Sequence, residues 1–407
     1  MKSRRFHACL LALSGVLLLP AQGALDKAGL QRELKEGSPA AAMEARVRAT
    51  AHLMSGKLKQ EVQKNLHQMQ RDEAVATRRV MQCFDRVQRE KNINARGEGG
   101  ITLLMAACAS GNLAVTEMVL AENPALDLKD NEGRTALQHE REGGGSILRT
   151  RLTPQWQTAV DKGDKEKVRY LLDCGVSPSE SVLGNPPLGL AIEREDKELF
   201  DMLAEHGPVV TVAMSDGRTL LELALDKRNA DAVGYILSYG ASAEDALSNG
   251  DSLPHRLLAM GDVACVAAYL KTDPPTEMAD GTTFPCMAVR FSTPDVVKEV
   301  LENCPRPDAE DACGNTPLLE AARRGDPAVW NAVLTALPNA ARTNKRKETV
   351  LMHAALGGNA ELVQKAAALL TAEECRAADA KGQTAADYAA LLPDNPALPA
   401  VEAAMQK

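Results

Sequence analysis

Residues 311–334, DACGNTPLLEAARRGDPAVWNAVL, decide how the rest of the chain is read. Gly314 precedes Asn315, a pair suited to a tight turn tip because glycine reaches positive φ without strain. Thr316 caps a helix that Pro317 opens, and LLEAARR continues it, with Ala321 and Ala322 small enough for a second helix to approach closely. Gly325 ends that helix, Asp326 caps the next, and Pro327 opens it. Val329, Trp330, Val333 and Leu334 then form one apolar face. Neither helix is long enough to bury its own stripe, so the unit requires neighbours stacked on both sides.

The neighbours are present. The Thr of Gly-x-Thr stands at 102, 135, 219, 283, 316 and 384, with Thr349 in the same place after Lys347 and Glu348, and Pro154, Pro186 and Ser252 at equivalent places. By subtraction the successive gaps are 33, 19, 32, 33, 33, 31, 33, 33 and 35. Five residues after these reference positions comes Ala, as at Ala107, Ala191, Ala224, Ala321 and Ala354; ten after comes a capping residue, as at Asn112, Asp196, Asn229, Asp326 and Asn359. This pattern resembles the ankyrin repeat over roughly residues 92–391. The resemblance implies an all-α solenoid of stacked helix-turn-helix units with short hairpin tips.

Four segments are expected: a targeting segment over 1–23, an N-terminal helical cap over 24–91, the repeat array over 92–391, and a tail over 392–407. Gly143, Gly144 and Gly145 and the 19-residue gap make the array irregular over 139–153. The second repeat is expected to lack a full second helix and to leave a bend or weak seam there. In the cap, Val80, Phe84 and Val87 make a helical stripe; a coiled dimer arm is the alternative.

Lys2, Arg4 and Arg5 precede an apolar run from Ala8 to Leu19, and Ala21-Gln22-Gly23 is a small-x-small site, so cleavage is expected near Gly23. The expected location is the periplasm or the exterior of a bacterial cell, with an uncleaved membrane anchor as the alternative. The run is too short for a comfortable span, so no stable membrane span is expected after cleavage. Of 47 basic residues, 44 remain after cleavage against 55 acidic, a net charge of −11. Such a chain is a poor general ligand for nucleic acid or anionic membrane. Aromatics at 3% also argue against a base-stacking platform.

Cys9 leaves with the targeting segment, and the remaining eight cysteines form no C-x-x-C. Cys304 and Cys313, flanking one loop, are the leading disulfide candidate, then Cys83 with Cys108; Cys108 and Cys265 also fit as small core residues. The histidines, His52 and His67 among them, are scattered, and His255 occupies the family's structural histidine position. No motif for catalysis, a metal or a cofactor is present, so a monomeric binding protein rather than an enzyme is expected.

The family's fold implies a concave surface lined by tips and first helices. The exposed position, four after each reference, holds Leu190, Leu223, Arg256 and Met287 mid-array, with Met260 and Phe291 on the rim. These six are the candidate partner-binding residues, and the partner is an unidentified protein; packing between first helices is the alternative for the leucines. A second candidate is a basic patch of Arg323, Arg324, Arg342, Lys345, Arg346 and Lys347 facing an acidic partner or sulfated glycan, with a solvated charged turn as the alternative. An inhibitor or immunity factor for a secreted enzyme, a passive envelope spacer and, last, an enzyme with a hidden site complete the functional expectations.

Overall fold

The computed structural model describes residues 25–50, 56–240, 252–278 and 280–406, the side chains of 50, 56–59 and 61 excepted. The targeting segment, its cleavage point near Gly23, Cys9 and His52 lie outside the described residues. The described chain is helical, its extended pairing limited to isolated bridges such as Ala213 with Thr219 and Glu277 with Thr283 at the tips. It divides into two compact units at Leu183 and Gly184.

The first unit begins with α1 (Lys27–Glu36), α2 (Pro39–Thr50) and the long α3 (Gly56–Glu90). Repeat helices α4 (Leu103–Ala109), α5 (Leu113–Ala121) and α6 (Ala136–Gly143) follow, then α7 (Ile147–Lys162) and α8 (Lys165–Asp173). The α3 helix packs on α2 and α4, and α1 packs on α5. The stripe Val80, Phe84 and Val87 is buried there, and the Asn112 amide donates to the Glu33 carbonyl at 2.8 Å, closing the end of α1.

The irregular repeat departs from expectation in an informative way. Its second helix is not missing: α7 runs for 16 residues straight through Pro154, merging that helix with the next repeat's first helix. No turn tip exists at 154. Gly144 takes φ 77°, closing α6, and buried Glu140 on α6 receives the backbone N–H groups of Leu148 and Arg149 at 2.8 and 3.0 Å. The carboxylate thus caps α7 where the helix dipole is positive. The division between units falls a full repeat beyond this irregularity, not within it.

The second unit pairs α9 (Pro187–Glu193) with α10 (Lys197–Glu205), α11 (Leu220–Asp226) with α12 (Ala230–Ser238), and α13 (Leu253–Met260) with α14 (Val263–Leu270). It continues with α15 (Phe284–Phe291), α16 (Pro294–Asn303), α17 (Pro317–Arg324), α18 (Pro327–Ala336), α19 (Val350–Gly357) and α20 (Ala360–Ala368). Short α21 (Ala372–Cys375), α22 (Ala385–Ala390) and α23 (Leu398–Met405) close the chain. First helices pack on first helices, α13 on α15 on α17 on α19 on α22, and second helices pack on second helices, α14 on α16 on α18 and α20 on α23. The decisive stretch forms as its residues require. Gly314 has φ 80°, Thr316 receives the Leu319 N–H, Gly325 ends α17 at φ 74°, and Asp326 receives the N–H groups of Ala328 and Val329. Trp330 is fully buried. Pro254 and Pro285 sit within the first turns of α13 and α15, which remain helical from Leu253 and Phe284.

The stretch read as a tail is part of the stack. The α23 helix packs on α20 and α22 with Val401 buried, and the Asn395 amide donates to the carbonyls of Ala355 and Ala389 at 2.9 Å each. Its pairing with α22 completes the last repeat as a helix pair. Among the described residues no helix is long and apolar enough to cross a membrane.

Candidate protein-binding face

The row four residues after each reference does not line an open groove. Met287 is 0% exposed, Leu223 1% and Leu190 8%, and Glu320, His353 and Tyr388 further along the row are buried too. Leu190, Met287, Glu320 and His353 sit on first helices whose successors pack on them, so the row is an internal seam there. Leu190, Leu223 and Met287 are therefore core residues and not partner contacts, which corrects the sequence expectation. Arg256 is half-buried and bonded to Asp226, which Arg218 also approaches at 3.5 Å.

What remains accessible is the rim. Phe291, the last residue of α15, is 55% exposed. The ring of exposed His255 lies beside it, centroids 5.7 Å apart, and half-buried Met260 ends the neighbouring α13. His255 is positioned by the Ser252 hydroxyl, 2.7 Å from its Nδ1. This is a helix-start contact between residues three apart, consistent with the structural role expected for that histidine.

The basic patch is divided by the fold. Arg324 turns inward and donates to the carbonyls of Val289 and Ser292 at 2.7 Å each, closing the end of α15. Arg342 pairs with Asp308 and Glu310. These two are structural cations, which removes them from the patch. Arg323 is exposed at the end of α17, and Lys345, Arg346 and Lys347 are exposed at a tip.

Cys304 is buried and Cys313 exposed, and both are free thiols, as are Cys83 and Cys108; the proposed pairings do not form. Burial pushes the thiols of Cys265 and Cys286 up to about 12 and that of Cys174 to about 11, which suppresses thiolate reactivity. Of the eight described cysteines only Cys313 is exposed. A maleimide reagent is expected to label one thiol of the native protein within minutes and the other seven after denaturation. Rapid labelling of more than one would place a second thiol at the surface.

Beneath the tips runs a polar network that the sequence reading did not isolate. Asp311 receives the N–H groups of Cys313 and Asn315, and Asp379 those of Lys381 and Gln383, all within 2.9 Å. Arg290 holds Asp311 at 3.0 Å and grips Glu320 with two donors, at 2.8 and 2.6 Å. Asn344 bonds Asn315 at 2.8 Å and also Glu348. The Tyr388 hydroxyl stands 2.8 Å from Glu348 and 2.9 Å from Asp379, and His353 Nε2 lies 3.3 Å from Glu348. The signal was in the sequence: Asp130, Asp311, Asn344 and Asp379 each stand five residues before a reference threonine. An Asx side chain there receives the backbone N–H groups of the turn.

The His353 contact, aided by Asn344 and Tyr388 and opposed by burial, lowers Glu348 from the ordinary 4.5 to about 2. A carboxylate depressed by folding stabilises the native state above its unfolded pKa and loses that contribution as pH falls through the folded value. The last repeats are thus expected to lose on the order of 3 kcal/mol between pH 4.5 and 2 from this group. Glu348→Gln should flatten that part of the pH dependence in chemical denaturation. An unchanged acid limb in the variant would exclude Glu348 as its source.

Residues 156–246 match the family model described as "Ankyrin repeats (3 copies)". The fold is an ankyrin-repeat fold. The chain is also 24% identical over 327 residues to the E3 ubiquitin-protein ligase KEG of Arabidopsis thaliana, covering 74% of this chain and 19% of the ligase. It therefore spans about a fifth of that curated relative. The solved ankyrin repeat domain of Bcl-3, a member of the IkappaB protein family, is similar at 19% identity and a TM-score of 0.42, over 54% of this chain and 99% of that domain. Ankyrin repeats generally mediate protein–protein interaction and form a non-enzymatic binding scaffold. Among the described residues no group of three His, Cys, Asp or Glu side chains could hold a metal ion.

Proposed function

We propose that this protein is an exported binding scaffold that docks another protein on the rim of its second unit, at Phe291, His255, Met260 and Arg256. The carrying observation is Phe291, 55% exposed at the end of a first helix whose other apolar residues are buried. An exposed aromatic beside a second ring and a half-buried methionine is the composition of an interface anchor. Arg256, already bonded to Asp226, presents an ordered polar neighbour, and a rigid repeat stack loses little conformational entropy on binding. The Lys2-Arg4-Arg5 start, the apolar run and the small-residue site near Gly23 support export to the periplasm or beyond.

The test is crosslinking of the protein in its native envelope, with Phe291→Glu in parallel. A partner captured by the native chain and lost from the folded variant supports the rim. The same partner with both sinks it, and no partner with either favours a spacer. Precursor and mature masses from the same cells test export, because cleavage near Gly23 predicts a mature N-terminus there.

A further inference from the structure

We infer that the tips of the last repeats form a preorganised basic surface that binds an acidic segment of a partner protein, through Lys345, Arg346, Lys347 and Lys381. Three backbone hydrogen bonds join the tips into a rail. Ala312 N–H donates to the Gly281 carbonyl at 2.7 Å, Lys345 N–H to Cys313 at 3.1 Å, and Ala380 N–H to Arg346 at 2.8 Å. The last of these sets Lys381 beside the 345–347 tip, although 34 residues separate Lys381 from Lys347.

The charge is one-sided for a structural reason. In sequence these tips carry as many carboxylates as neighbours could neutralise: Asp311, Glu348 and Asp379 stand within a few residues of the cations. The fold turns all three inward and buries them. Asp311 and Asp379 are consumed by turn N–H groups, and Glu348 by Asn344, His353 and Tyr388. Across residues 312–314, 345–347 and 380–382 every charged side chain left at the surface is basic, whereas the adjoining Gly281 tip carries exposed Asp280 and bounds the basic surface. Two of the four cations are held in place: Lys345 Nζ donates to the Ala312 carbonyl at 2.9 Å, and Arg346 Nε lies 3.3 Å from Glu348. Lys347 and Lys381 have no ion pair among the described residues, so their charge is available.

A row of cations on hydrogen-bonded tips suits a short acidic segment of a polypeptide confined to it, whereas a long polyanion such as nucleic acid runs on to the acidic remainder of the chain and is repelled there. The inference rests on the protein-binding reading for its class of partner, but uses a surface separate from Phe291.

The test uses the full mature chain and a fluorescein-labelled ten-residue peptide alternating Asp or Glu with Ser, followed by anisotropy. Binding is expected at 50 mM salt and should weaken about tenfold or more by 300 mM, because exposed charges are screened beyond a Debye length of about 8–10 Å. Lys345→Glu with Lys347→Glu and Lys381→Glu should weaken binding at least tenfold at low salt, and Lys381→Ala alone should weaken it measurably, which keeps the test sound if the triple variant unfolds. Phe291→Glu should bind the peptide as the native chain does. No binding at 50 mM salt, equal binding by the charge variants, or binding of heparin but not the peptide would each overturn the inference. Loss in Phe291→Glu alone would overturn it while leaving the rim proposal standing.

Discussion

Met287→Glu and Leu223→Glu are each expected to unfold the central repeats of the second unit, costing about 4–5 kcal/mol or more. Both side chains are buried on first helices that pack against a neighbouring first helix, so a carboxylate there loses its water and gains no designed partner. At 287 the cost is compounded. The α15 and α17 helices already carry the buried Glu320, with Asp311 close by, and Arg290 is the cation that holds both. Urea denaturation followed by circular dichroism measures the effect, with Phe291→Glu as the comparison. That side chain is on the surface, and its replacement should change stability by about 0.5 kcal/mol or less. If Met287→Glu were as stable as Phe291→Glu, the seam would have to be open to water and the groove reading would return.

Arg290→Met is expected to cost about 3–5 kcal/mol, because it strands Glu320. The Glu320 carboxylate is buried with two donors from Arg290 as its bonds, whereas Asp311 keeps the N–H groups of Cys313 and Asn315. The guanidinium's planar fork meets the carboxylate with two donors, and lysine could not reproduce that geometry. Arg290→Met combined with Glu320→Leu should recover most of the loss, since replacing both partners of a buried pair by apolar groups is often near neutral. A single variant within 1 kcal/mol of the native chain would show that water reaches Glu320. Recovery in the double variant would separate a charge effect from a packing defect.

Much of the fold is legible because it is local. A glycine at a tip, a threonine three residues before a helix turn closes, alanines five residues on and an Asp or Asn ten residues on act over single turns, and the period repeats them. The same locality explains the helices of 311–334, whose caps and stops form where their residues stand. The export reading rests on the sequence alone.

The site was less legible, because exposure is a property of the next repeat. A residue four past the threonine points away from its own helix pair, and only the packed successor decides that Met287 is covered while Phe291, four residues later, is not. Charge behaves likewise. Arg324 and Arg342 read as members of a patch with Lys345–Lys347, but the fold assigns one to backbone carbonyls and the other to Asp308 and Glu310. The merging of two helices through Pro154 was also beyond local reading, since Glu140 supplies its cap from the preceding helix. The sequence determined the repeat, its caps and its period, which act through neighbours along the chain. Tertiary structure alone decided which side chains meet water and which charges remain unspent, because those depend on contacts between residues some thirty positions apart.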